Sequence, residues 1–399
     1  MTVSTIDSSA SQPARASLFY DPVIRGIVFQ VLLALFILYL VYSGVTNAAN
    51  NLARAGIATG FGFLGNRAGF DIGQSLIPYT ANSTYQRAFF VGLTNTIFVA
   101  AIGIFFATII GFIVGIARLS KNFLVRKVAE VYVETLRNIP LLLQLLFWYK
   151  AVLSALPAPR GSIEMFNSSV FLNNRGLILP QYIGEAGASI FYASIAIGIA
   201  AAIVTSRWAK RRQLATGQIF PTIRVCLGLI IGLPIAVLLL TGVPFTAQYP
   251  ELTGFNFTGG SSIRPEFMAL LLGLSLYTAA FIAEIVRAGI LAVSKGQTEA
   301  AFSLGLRPNT TMRLVIIPQA LRVIIPPLTS QYLNLTKNSS LAIAVGYPDL
   351  VSVFSGTVAN QTGQAVEVIS ITMIVYLTLS LLTSAFMNWF NSRVALVER

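Results

Sequence analysis

Apolar residues along most of this chain run together in long stretches rather than alternating. Runs near the roughly 20 residues that cross a bilayer as a helix fall at about 23–44, 90–117, 128–154, 189–206, 222–242, 266–289, 323–346 and 367–390. The pattern predicts an all-α, polytopic membrane protein of about eight transmembrane helices. The polar segment from Glu284 to Arg322 breaks this pattern most clearly, with Lys295, Glu299, Arg307, Arg313 and Arg322 between two runs. One charge in hydrocarbon costs several kcal/mol, so 290–322 is a loop outside the bilayer. Within it Gln297 to Leu304 reads as a short helix. Good helix formers surround Glu299, Ala300 and Ala301, and Gly305 follows as a stop.

Charge sets the expected orientation. With the first run leaving the inner side, inner segments hold Arg118, Lys121, Arg126 and Lys127, then Arg207, Lys210, Arg211 and Arg212, then the cations of 290–322, and last Arg393 and Arg399. Outer segments are longer and poorer in cations, which predicts both termini in the cytoplasm. Residues 1–22 read as a disordered cytoplasmic tail rather than a signal peptide. Residues 23–89 read as an anchor helix with an outer segment, and 391–399 as a second cytoplasmic tail.

Composition agrees and excludes much. Hydrophobic residues make up 55% of the chain and charged residues only 10%, against about a quarter in soluble domains. The formal charge of +13 lies in short loops beside the runs and argues for no nucleic-acid binding. Cys226 is the single cysteine and there is no histidine, which removes disulfides, histidine triads and the usual metal sites. No G-x-x-x-x-G-K-[ST] phosphate loop occurs, so this chain is no ATPase by that route.

Four features inside the runs carry candidate chemistry. Glu284 either pairs with Arg287 one turn on or faces a pathway and meets a substrate ammonium group. Lys337, with Asn334, Thr336, Asn338, Ser339 and Ser340 around it, either pairs with Glu284 or with backbone carbonyls to hold the bundle, or attracts a substrate carboxylate. Pro140 breaks a run and frees backbone groups. Gln144 then acts as interhelical glue, or the amides of Leu141 to Gln144, Leu143 included, hold an α-carboxylate as broken helices do. Trp148, Tyr149, Trp208 and Trp389 read as interface belt.

Glu299, Ala300, Ala301, Gly305, Val315, Ile317 and Pro318 resemble the cytoplasmic signature of ABC importer permeases: Glu-Ala-Ala, three residues, Gly, nine residues, Ile-x-Leu-Pro. Val315 replaces Ile and Ile317 replaces Leu. The flanks AFIAEIVRAGI, PQALRVIIPPL and LTKNSSLA look like the polar amino-acid branch, with Asn338-Ser339 for its usual Asp-Thr. Arg137-Asn138-Ile139-Pro140 stands for Arg-Gly-Thr-Pro. The resemblance covers roughly 90–153 and 266–390. It implies a type I permease core in two halves, 90–154 and 266–390, around an insertion, 155–265, with two extra helices. This insertion looks like that of the large permease subunits of general L-amino-acid systems and is expected to be peripheral.

The resemblance further implies a bacterial inner-membrane location and a coupling helix around Glu299. The implied partners are a dimer of ABC ATPase subunits carrying ATP and Mg, a second homologous permease and a periplasmic amino-acid-binding protein, with no cofactor on this chain. A zwitterionic L-amino acid would sit between Lys337, or the Leu141 to Gln144 amides, and Glu284. The alternative is an ion-coupled carrier or channel acting without an ATPase. An intramembrane enzyme would need a His or Cys pair, or a partner acid for Glu284.

Overall fold

In the computed structural model, residues 22–394 are described apart from 55, 57, 58, 186 and 243. Most of the expected tail 1–22, and 395–399 of the tail 391–399, lie outside the described residues. Among the described residues seven helices are long and apolar enough to cross a membrane, and a shorter apolar helix covers Leu141–Leu153.

α1 (Pro22–Arg54) carries apolar side chains from Ile27 to Val45 that stay exposed. α2 (Tyr85–Ala117) is capped by Thr84, whose hydroxyl accepts from the Arg87 amide. The run expected at 128–154 is not one continuous span. It divides into α3 (Phe123–Asn138), capped by Asn122, and α4 (Leu141–Leu146), which continues as a π-helix over Phe147–Leu153. The break follows from sequence. Pro140 disfavours helical backbone at Ile139, which lies extended at ψ 128°. α3 also carries Arg126, Lys127, Glu130, Glu134 and Arg137, too many charges for a lipid-facing helix.

α5 (Ala188–Thr216) packs on α6 (Thr222–Leu227) and α7 (Leu233–Thr241), which a π-turn at Gly228–Gly232 joins into one span. α8 (Pro265–Leu291) is the central helix and leads to α9 (Lys295–Ser303) and α10 (Pro308–Thr311). A π-turn at Met312–Ile316 then opens α11 (Ile317–Asn338), which ends in a 3-10 stretch, Ser339–Val345. Both π-turns precede a proline, Pro234 or Pro318, that lacks the amide an α-helical bond needs. A π-helix at Val351–Val358, α12 (Ala359–Thr362) and α13 (Ala365–Val394) close the bundle.

The core is α8 wrapped by α2, α3, α4 and α11. Small residues let the backbones approach. A Cβ at Gly111 would lie 2.6 Å from Ile282 Cβ, and one at Gly115 2.7 Å from the Ala283 carbonyl oxygen. Val99, Leu270, Leu274, Ile282 and Leu335 fill the space between these helices at 0% exposure.

Beyond the two extra helices expected of it, the insertion carries strands. β1 (Ile163–Met165), β2 (Val170–Asn173) and β3 (Gly176–Leu179) form an antiparallel meander. β4 (Gln181–Gly184) pairs with β5 (Phe245–Gln248), and β6 (Glu251–Thr253) with β7 (Asn256–Thr258). β8 (Ser261–Ile263) adds to β3 and runs straight into α8. Three or four residues are too few to show alternation, and β3 finds β8 only through tertiary closure.

Candidate functional site

α9 sits between two bundle helices on a loop, with Glu299 and Ala300 exposed and Ala301 buried. Its end is built by backbone geometry. Gly305 adopts φ +72°, its amide donates to the Phe302 carbonyl at 2.9 Å, and the Leu306 amide donates to Ala301 at 3.1 Å. These two bonds make a Schellman stop. Around it Phe302, Leu304, Met312, Leu314 and Ile317 are exposed, Leu304 at 81%. The helix spans Lys295–Ser303 against the expected 297–304, since Ser294 rather than Gly296 starts it. Pro318 is exposed but belongs to the first turn of α11, apart from α9. The loop is tied back by Gln319 Nε2 donating to Gln297 Oε1 at 3.1 Å.

Glu284 lies among cations. Arg118, at the end of α2, donates Nη1 to Glu284 Oε2, and Arg287 donates Nη2 to Oε1 at 2.5 Å and Nε to Oε2 at 3.3 Å. Glu134 of α3 stands 3.8 Å from the other Arg118 nitrogen. The local pairing with Arg287 is present, and Arg118 is a partner the sequence reading missed; its only signal was a cation ending a run. Next to it Glu130, which is half-exposed, is held below the ordinary carboxylate range, first by the hydrogen bond from Lys127.

Glu284 and Lys337 do not meet. Along α2, Gly103 faces Leu335 of α11, whereas Arg118 reaches Glu284. The rise from Gly103 to Arg118 is about 22 Å. An amino acid carries its two charges on one Cα, so it cannot bridge them, and the expectation of a substrate between the two groups is corrected.

Lys337 instead lines a cavity of about 420 Å³ with Ser340, Val351, Thr372, Tyr376 and Ser380. Ser330, Asn334 and Lys337 repeat at i, i+4 and i+7 on the exposed face of α11, so this polar stripe points out of the chain. Behind the cavity wall lies Asp349, fully buried in the connection before the π-helix. Its carboxylate accepts from the Ser352 amide at 2.8 Å, the Val351 amide at 3.2 Å and the Tyr376 hydroxyl at 3.3 Å. Burial pushes that carboxyl up to about 7 despite these bonds. Asp349 was legible only as a lone acid after an apolar run.

The Pro140 break is partly satisfied internally, with Gln144 Oε1 left buried and without a partner. Gln144 is 4% exposed, and its Nε2 donates to the Leu136 and Ile139 carbonyls at 2.8 and 2.9 Å. The Leu143 and Gln144 amides both donate to the Pro140 carbonyl. Leu141 is buried and Leu143 is exposed. The expected open row of amides from Leu141 to Gln144 is therefore partly used within the break, and Gln144 acts as its glue.

Residues 194–396 match the family model described as binding-protein-dependent transport system inner membrane component. The chain is 56% identical to the general L-amino acid transport system permease protein AapQ of Rhizobium johnstonii, over 96% of this chain and 95% of that protein. It is 51% identical to the putative amino-acid ABC transporter permease protein YhdX of Escherichia coli, over 96% and 97%. It is 44% identical to the glutamate/glutamine/aspartate/asparagine transport system permease protein BztB of Rhodobacter capsulatus, over 98% and 99%.

Proposed function

The chain belongs to the binding-protein-dependent transport system inner membrane components, and we propose that, as the permease subunit of such an ABC importer, it passes L-amino acids from periplasm to cytoplasm by alternating access. The observation that carries this reading is α9: a helix with Glu299 and Ala300 exposed, stopped by Gly305, between α8 and the π-turn that leads into α11. In this position it is the coupling helix, with Glu299, Ala300, Ala301, Gly305 and Pro318 as the ATPase contact region. ATP and Mg are then held by two ATPase subunits outside this chain. An ion-coupled carrier, the alternative kept open above, is set aside because the relatives are ABC permeases over nearly their full length.

The polar stripe on α11 supports a second, homologous permease. Lys337 exposed to lipid would cost several kcal/mol. Its face, with Ser330 and Asn334, fits a wet passage between two permeases, and there Lys337 attracts the substrate carboxylate. Both termini lie in the cytoplasm in this arrangement, and a periplasmic binding protein delivers the substrate.

The test is uptake of radiolabelled L-glutamine into proteoliposomes carrying the importer, with its binding protein outside and ATP or a non-hydrolysable analogue inside. Accumulation that needs ATP and the binding protein is expected. Accumulation driven by an ion gradient without ATP contradicts the reading.

A further inference from the structure

The helices of the insertion form a hairpin whose far end carries charge of one sign. β4 and β5 pair just before α5 and just after α7, while β3, which leads into β4, pairs with β8, which leads into α8. The starts of α5 and α8 therefore share the strand side of the bundle. Both helices are long enough to cross a membrane, so the end of α5 lies on the side of α9. There α5 turns back into α6. Trp208 meets Phe220 edge to face at 5.2 Å, Arg212 lies over the Trp208 ring and donates to Gln218 Oε1, and Cys226 Sγ donates to the Ala202 carbonyl. These contacts bracket Arg224 and set it at the level of residues 202–208 of α5, where Arg207 stands. Arg207, Lys210 and Arg211 recur at i, i+3 and i+4 on one exposed face of α5.

These four cations have no partner of opposite sign. No acidic residue occurs between Glu185 and Glu251, and among the described residues the ion pairs use Arg118, Lys127 and Arg287. Other charged segments on this side differ: 118–137 contains Glu130 and Glu134, and 284–322 contains Glu284 and Glu299. The charge bias that orients a membrane chain tolerates acids, so orientation alone does not account for a purely basic end. Towards the strand side the same face of α5 stays apolar. Ile203 lies seven positions before Lys210 and Val204 seven before Arg211, about two helical turns in each case, and Ile197 extends the second row. All three are exposed, as are Leu214 and Ile219 around the cations. The hairpin helices pack chiefly on one another, which leaves this face to its surroundings. A free phosphate has no use for the apolar rows, whereas rows of apolar side chains ending in cations match acyl chains below an anionic headgroup.

We propose that this end of the α5–α6 hairpin binds anionic phospholipid of the cytoplasmic leaflet, with headgroup phosphates on Arg207, Lys210, Arg211 and Arg224 and acyl chains along Ile203 and Val204. A negatively charged leaflet attracts a basic cluster placed directly after a span. Guanidinium groups suit the phosphate because their planar fork donates two parallel bonds. Trp208, with an apolar body and a polar N–H, sits at the same boundary. The choice of leaflet rests on the reading of α9 as the coupling helix.

The experiment purifies the whole importer in detergent and titrates it with phosphatidylglycerol or phosphatidylcholine of equal chain length in native mass spectrometry. Phosphatidylglycerol should bind at least tenfold more tightly. The variants R207Q/R224Q and K210Q/R211Q, each of which keeps three of the five cations between residues 206 and 225 and so keeps the orientation, should each lose at least threefold of that affinity. K121Q/R126Q, which neutralises cations of another loop on the same side, should stay within twofold. Equal affinity for the two lipids overturns the inference, as does phosphatidylglycerol binding unchanged in both hairpin variants. Displacement of the lipid by an equal concentration of glycerol 3-phosphate would make this a site for soluble anions, and loss of the ATPase subunits from both variants with lipid affinity intact would make it a protein interface; either result overturns it. ATP-driven uptake of L-glutamine in proteoliposomes from the same preparation reports on the permease reading separately. Absent uptake beside selective phosphatidylglycerol binding counts against that reading and leaves the lipid site standing.

Discussion

Arg118, the residue that ends α2, donates to Glu284 of α8 across 166 positions of sequence, and Arg287 completes a three-residue cluster at the end of the bundle that leads into α9. The Arg118 side chain is 11% exposed and that of Glu284 26%. A hydrogen bond to a charged group in such a place contributes about 1.5–3 kcal/mol. Glu284→Gln should therefore lower the melting stability of the purified complex by about that amount, and Arg118→Met by a similar amount. The double variant should lose clearly less than the sum. Strictly additive losses in this cycle would mean that the two side chains do not act as a pair.

The stop of α9 depends on Gly305 at φ +72°, a region a β-branched residue resists at a cost of about 1–3 kcal/mol. Open space surrounds its missing Cβ, so Gly305→Val strains only the local backbone. The variant, and Glu299→Lys beside it, should reach the membrane at normal yield yet lose most ATP-driven uptake and most ATPase recovered in a pull-down. Normal uptake in both would place the coupling contact elsewhere.

Gly111 sets how closely α2 approaches α8. Its Cβ would stand 2.6 Å from Ile282 Cβ and 3.0 Å from the Ala279 carbonyl. Overpacking of this kind costs about 1–3 kcal/mol or more, so Gly111→Val should sharply reduce membrane yield. Gly26→Ala, in α1 with nothing within 4 Å, is the contrast and should be neutral or stabilising by up to about 1 kcal/mol. Equal yields of the two variants would contradict the packing described.

Lys337 is exposed from this chain, so its loss strands no buried partner within it. Lys337→Met should leave the yield of the assembled importer within about twofold and cut the uptake rate about tenfold or more, the scale of one lost charge-assisted contact. Lys337→Arg, which keeps the charge, should recover part of the rate. Unaltered transport in Lys337→Met would remove it from the substrate path.

Asp349 supplies a pH dependence. Burial raises its carboxyl from 3.8 to about 7, so between those values the folded state holds more protons than the unfolded one. Stability should then fall as pH rises through that window and level off above about 7. Asp349→Asn should flatten that slope in melting curves between pH 5 and 8. A slope identical to that of the parent protein would assign the titration to another group.

The membrane class, the runs that become spans and the loop that becomes α9 follow from the sequence alone, because apolar length and the cost of charge in hydrocarbon act locally. The stop at Gly305 was legible for the same reason: a glycine after a helix-forming stretch meets its partners within five residues. What only the tertiary structure decided are relationships across distance. Glu284 pairs with Arg118 rather than Lys337 because the end of α2 reaches Glu284, whereas Lys337 lies two residues from Leu335, which packs far along α2 at Gly103. The run at 128–154 divides because Pro140 and the charges of α3 together outweigh its apolar content. The strand β3 pairs with β8, some 80 residues on, a contact that no local preference encodes.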